Sequence, residues 1–96
     1  MRYVSDYETV AASQTAQVLG GVGAAGNVLM RLVVTVATSA TGTVSINDGG
    51  GAEIPITAAN TPIGVYSVEI GARSVTGSWQ VTTGAGATVL AIGAFN

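Results

Sequence analysis

The side chains able to do chemistry are few: Asp6, Glu8, Asp48, Glu53 and Glu69, three arginines, and the hydroxyls of serine, threonine and tyrosine. Histidine, cysteine and lysine are absent, and with them go the usual general bases and strong nucleophiles. Two carboxylates suffice for glycoside hydrolysis, and Asp48 and Glu53 are close in sequence. They belong to a turn and the short strand after it, however, and a core of Val, Ile and Ala leaves little room for a deep cleft. The chain is read as a non-enzyme with no catalytic residues. Asp48-Gly49-Gly50-Gly51 has the composition of a cation loop, but Asn47, Asp48 and Glu53 do not form the ladder of oxygen ligands, ending in a bidentate acid, that calcium requires. Without Cys or His, zinc and iron–sulfur sites are close to excluded. No metal is expected. Gly21, Gly23 and Gly26 match G-x-G-x-x-G, but a β-rich run follows where the helix of a dinucleotide site should open, so no cofactor is expected either.

Two binding chemistries remain. Trp79 and Tyr66 offer ring faces on which a sugar could stack, which would suit a carbohydrate-binding module or fibre tip. Trp79 is in phase with Val81, though, and a tryptophan in that position more often belongs to a core. Arg31 sits inside the apolar run Val28–Ala37, and an arginine there usually reaches a carboxylate or backbone carbonyls, often across an interface, the alternative being a side chain that snorkels to solvent.

That run organises the chain. Read with period two, it places Val28, Met30, Leu32, Val34 and Val36 on one side and Leu29, Arg31, Val33, Thr35 and Ala37 on the other. The first side is apolar throughout and reads as core. The second still carries Leu29 and Val33, more than a solvated face needs. Ala87–Phe95 has the same two-sided character, with Val89, Ala91 and Phe95 opposite Leu90, Ile92 and Ala94. Leu29, Arg31, Val33, Leu90 and Ile92 are therefore candidates for a surface that meets a partner.

Shorter strands fill the remainder. Thr15–Leu19 alternates; Thr43–Ile56 reads as a hairpin about the glycine turn, with Val44, Ile46, Ile54 and Ile56 inward; and Pro55 marks an edge or bulge. Val65–Ile70 turns Tyr66, Val68 and Ile70 to one face and Val65, Ser67 and Glu69 to the other, and Ser78–Thr83 follows with Trp79 and Val81 inward. Residues 1–13 keep no helical spacing, despite the capping-box pair Ser5 and Glu8, and are read as an extended N-terminal arm. Tyr3 and Tyr7 suit that arm to lying across a neighbour. Residues 14–96 form one domain, all-β, an antiparallel sandwich or jelly-roll-like barrel of seven or eight strands.

A chain of 96 residues buries only roughly 60% of its unfolded surface. Without disulfides or metals, association is its most available source of further stability. Three arginines and five acids are far fewer charges than the roughly one quarter of an ordinary soluble chain, which favours a built-in partner surface. The net charge of −2 and the lack of a basic patch exclude nucleic acid and anionic membrane as partners. Asp6 and Glu8 fall where the apolar core of a signal peptide should begin, and the ten-residue run is too short for a membrane helix. A soluble protein made in the cytoplasm is expected.

Residues Gln14–Gly21, Arg31–Thr38 and Ser78–Gly86 resemble segments of decoration (cement) proteins and head fibres from the virions of tailed bacteriophages. The resemblance spans roughly positions 12 to 95 and leaves the arm outside. It implies a β-rich protein that associates with itself, often as a trimer, on the outer surface of the head. There it would bridge capsomers of the major capsid protein, with no catalytic residues to carry over.

Overall fold

The computed structural model describes residues 6–20, 26–38 and 41–95. Eight strands form two antiparallel four-stranded sheets. In chain order they are β1 (Asp6–Val10), β2 (Gln17–Val18), β3 (Val28–Val36), β4 (Val44–Asp48), β5 (Ile54–Thr57), β6 (Gly64–Arg73), β7 (Trp79–Thr82) and β8 (Ala87–Ala94). One sheet has the order β1-β8-β3-β6 and the other β2-β7-β4-β5. The two sheets do not close into a barrel, so the sandwich alternative holds and the barrel does not. Each strand pairs with its counterpart from the far end of the chain: β1 with β8, β2 with β7, β3 with β6 and β4 with β5. The chain is thus a long hairpin about the 49–53 turn, folded over so that β3 also pairs with β8 and β4 with β7.

Strand alternation makes the core. Leu32, Val34 and Val36 of β3 and Val89 and Ala91 of β8 are buried, together with Val44, Ile46, Trp79 and Val81 of the other sheet. Tyr66, Val68 and Ile70 of β6 pack on this core from the edge and are half-buried. The hairpin expected about Asp48–Gly51 is present as β4 and β5, with Pro55 on an edge strand beside a register irregularity.

Three expectations are corrected. Residues 1–13 are not wholly an arm outside the domain, because Asp6–Val10 is a sheet strand whose five residues pair with β8. The strand read over Val65–Ile70 runs on to Arg73, past Gly71 at φ +63°. In β3 the strict alternation fails at the start. A bulge between Leu29 and Arg31 leaves Met30 and Arg31 both outward and turns Leu29 into the core, with no exposed surface. The extra residue shifts the phase by one, so every position before it changes face. Gly93 lies opposite Leu29 here, and a Cβ on it would collide with the Val28 carbonyl oxygen.

The 11–16 connection between the sheets is held by hydroxyls. Thr83 Oγ1 accepts from Gln14 N at 3.0 Å and donates to Ala11 O at 2.6 Å, and Thr82 Oγ1 accepts from Ala16 N at 3.0 Å. Backbone bonds from Ser13 N to Gly84 O at 3.1 Å and from Thr83 N to Gln14 O at 2.9 Å join them, in a segment where Ser13 and Ala16 lie at φ 61° and 50°, values a side chain normally disfavours. Glu8 adds a tie from β1 to the β2 region, accepting from Gln17 Nε2 at 2.8 Å and Gly20 N at 2.9 Å. Thr83 is buried, so Thr83→Val strips two backbone groups of their partner while keeping the shape. Urea unfolding should show a loss of about 1–3 kcal/mol; an unchanged midpoint would mean the connection is held by other contacts.

Candidate interaction surface

The outer face of the β1-β8-β3-β6 sheet is built by register. Tyr7 lies opposite Ile92, Ile92 opposite Arg31 and Arg31 opposite Glu69, which makes one row across all four strands. The next row is Thr9, Leu90, Val33 and Ser67, and a third holds Thr88, Thr35 and Val65. Five of the residues expected at a partner surface, Tyr7, Arg31, Val33, Leu90 and Ile92, therefore share one face. Leu29 does not, because the bulge sends it inward, and a fully buried side chain has nothing to offer a partner. Tyr3 lies outside the described residues. Tyr7 is 72% exposed and Val65 67%, at the two margins, while Leu90, Val33 and Ile92 form a half-exposed apolar centre.

Thr9, Met30 and Val65 join the face although the sequence does not single them out as partner contacts. The alternation of β6 already sets Val65 on the side of Ser67 and Glu69. Met30, by contrast, depends on a bulge that no periodicity reveals.

Arg31 finds its carboxylate within the sheet. Its Nε donates to Glu69 Oε1 at 2.7 Å, and Nη2 pairs with the same oxygen. The two side chains remain 49% and 69% exposed, so the pair is an open surface ion pair rather than a core one. Solvent screening and side-chain entropy leave such pairs little net value.

The outer face of the other sheet is different. Val18, Gln80 and Asn47 form one row and Thr82, Ser45 and Pro55 another. Asn47 Nδ2 donates to Gln80 Oε1 at 2.7 Å and also to Gly49 O, and Ser45 Oγ donates to Glu53 Oε1 at 2.7 Å. These polar groups satisfy one another and cover Ser45 and Asn47. One outer face is apolar around an ion pair; the other is polar and internally bonded.

The carboxylates whose side chains are described are all used structurally. Glu8 holds the β1–β2 corner, Glu53 caps Ser45 and Glu69 meets Arg31. Asp48 accepts from Val75 N at 2.8 Å, Thr76 N at 3.1 Å and Gly77 N at 3.2 Å, so its oxygens face N–H groups rather than a cation. Among the described residues no three acids gather as a metal would need. Gly26 leads into strand β3 rather than a helix, and Gly21 and Gly23 lie outside the described residues.

The sugar-stacking pair does not assemble. Trp79 is 5% exposed in the core of one sheet. Tyr66 belongs to the other, half-buried, with its hydroxyl donating to Pro62 O at 2.6 Å. Most of the length of β6 and the 74–78 loop separate them in the chain. Neither presents a free ring face beside the other.

Comparison with protein-family models, with curated proteins and with solved structures gives no match. What bears on function is the surface itself.

Two outcomes follow. Arg31→Ala should cost less than about 1 kcal/mol of folding stability by chemical denaturation, because the ion pair is exposed; a larger loss would place Arg31 among the groups that hold the sandwich together. The three N–H donors, that of Val75 first, hold the Asp48 carboxyl below its ordinary value of 3.8. A depressed acid stabilises the fold above its unfolded pKa and loses that contribution as pH falls through the folded value. Protection of the Val75–Gly77 amides, measured against their intrinsic exchange rate at each pH, should therefore fall only below the ordinary carboxylate range, and in Asp48→Ala it should be low at every pH.

Proposed function

We propose that this chain is a structural virion protein, a jelly-roll decoration protein on the outer surface of a tailed-bacteriophage head. It is made in the host cytoplasm, associates with itself and bridges neighbouring capsomers of the major capsid protein. The observation that carries this reading is the apolar outer face of the β1-β8-β3-β6 sheet, where Leu90, Val33 and Ile92 are ringed by Tyr7, Val65 and the Arg31–Glu69 pair. A face of this kind on a chain with so few charges is a docking surface for protein rather than for a charged polymer.

The strand order supports the jelly-roll assignment. Pairing β1 with β8, β2 with β7, β3 with β6 and β4 with β5 across two four-stranded sheets is what two successive Greek keys produce. Jelly rolls serve both viral shells and lectins, so the fold does not choose between them. The buried Trp79 and the engaged Tyr66 hydroxyl weigh against the sugar-binding alternative. The resemblance over residues 14–21, 31–38 and 78–86 weighs for the virion.

The test is protein mass spectrometry of purified particles from the source of this sequence, followed by rebinding to particles stripped of the chain. The wild-type chain should be a major particle component, accessible to antibody from outside. The Leu90→Asp, Ile92→Asp double variant should rebind at least about tenfold more weakly while keeping its circular dichroism, because each change puts a carboxylate where apolar contact is needed. Absence of the chain from the particles, or full rebinding by the double variant, would reject the reading.

A further inference from the structure

An open sheet presents two edges, and an edge strand offers unpaired N–H and C=O groups to any strand that reaches it. Three of the four edges here are blunted. β2 is two residues long, and β5 is four residues with Pro55 inside and an irregular register. β1 is five residues with Glu8 turned inward. Over Gly64–Glu69 β6 has none of these devices; its register with β3 is irregular only beyond that stretch, between the Arg31–Glu69 and Leu29–Ala72 pairs. It is ten residues long, with neither proline nor lysine, and its inward Tyr66, Val68 and Ile70 are only half-buried although they pack on the core. Among the described residues no strand pairs with its outer edge.

We propose that a second copy of this chain docks there, β6 against β6, antiparallel about a two-fold axis at Val68. The self-association in the function proposed above thereby acquires a definite surface, and the inference rests on that reading only in taking the chain to associate with itself.

Self-pairing restricts the register. A two-fold axis perpendicular to the sheet keeps inner and outer faces in place, so residues that meet must lie on the same side. With the axis at Val68, Val68 meets its copy, Tyr66 meets Ile70 and Ser67 meets Glu69. The inward residues then complete each other's burial, and a hydroxyl faces the carboxylate. Moving the axis to Glu69 sets two like charges opposite one another, which is unfavourable. Moving it to Ser67 sets Glu69 against the apolar Val65. Beyond Ile70 the φ of +63° at Gly71 interrupts the extended edge.

The product is a continuous eight-stranded sheet in which the two apolar outer faces lie side by side. A two-fold contact builds an even-numbered assembly, in place of the trimer that the resemblance implies. It uses the edge rather than the face, so shell contact and self-contact are compatible.

The test uses the full chain, which contains no cysteine to confuse cross-linking. Light scattering and sedimentation equilibrium at micromolar concentration should give twice the chain mass. Val68→Cys should form an intermolecular disulfide on mild oxidation, because opposed Cα atoms in an antiparallel pair are about 4.5–5.5 Å apart. Ser67→Cys places the two thiols on Cα atoms about 8 Å apart and should cross-link at least about tenfold less. Circular dichroism and the mass of reduced Val68→Cys establish that the fold and dimer survive the change. A monomer throughout, or an oligomer that Val68→Cys does not cross-link, overturns the proposal. The Leu90→Asp, Ile92→Asp variant should remain dimeric; if it becomes monomeric, association runs through the outer face and this inference fails while the virion reading stands. A cross-linked dimer that never binds particles keeps this inference and rejects the virion reading.

Discussion

Apolar contact between two small sheets is the main support of a chain of this size that has neither cysteine nor histidine. That contact centres on β3 and β8, which lie side by side in the middle of one sheet. Their inward residues Leu32, Val34, Val36, Val89 and Ala91 meet Val44, Ile46 and Val81 from the other sheet. Because β1 is the first strand and β8 the last, the sheet forms only when segments remote in sequence come together. The hydroxyl bonds of Thr82 and Thr83 and the carboxylate of Glu8 tie the crossings between sheets, beside backbone bonds from Ser13 N to Gly84 O and from Thr83 N to Gln14 O.

Committing one face of β3 and β8 to the core decides what the other face can be. The outward Val33, Leu90 and Ile92 cannot reach the sandwich interior, and no third layer covers them among the described residues. The opposite sheet shows that a solvated outer face was achievable with the same amino acids. There Ser45, Asn47, Gln80 and Thr82 stand outward and bond to one another or to nearby groups. The contrast between the two faces, more than the apolar residues alone, is what marks this one as the candidate surface. The open edge of β6 belongs to the same sheet, so the proposed shell contact and the proposed self-contact both fall on this half of the sandwich.

Much of this is legible in the order of the residues. Two-residue alternation places Val44, Ile46, Tyr66, Val68, Trp79 and Val81 inward correctly, and Asp48-Gly49 announces the hairpin between β4 and β5. An arginine inside an apolar strand calls for a carboxylate, and Glu69 across the strand pair supplies it to Arg31. Alternation misplaces Leu29, since a bulge is a property of two strands fitting together and leaves no mark on the spacing of one. The arm expected over residues 1–13 is too long for a related reason: Tyr7 and Thr9 look like solvated residues until β8 is beside them to complete a ladder.

Composition and alternation alone determined that the chain is all-β, that it has no histidine, cysteine or lysine to bring to acid–base or metal chemistry, and that two of its strands are apolar on both sides. Those properties are local, set by which side chains the chain owns and how they alternate along it. The tertiary structure decided which strands are neighbours, and therefore that Tyr7, Ile92, Arg31 and Glu69 form one row although they come from both ends and the middle of the chain. It also decided that Trp79 is walled in, and that β6 is left as the long bare edge. Adjacency between strands depends on how whole sheets pack and cross, and residue spacing within one strand carries no record of its neighbour.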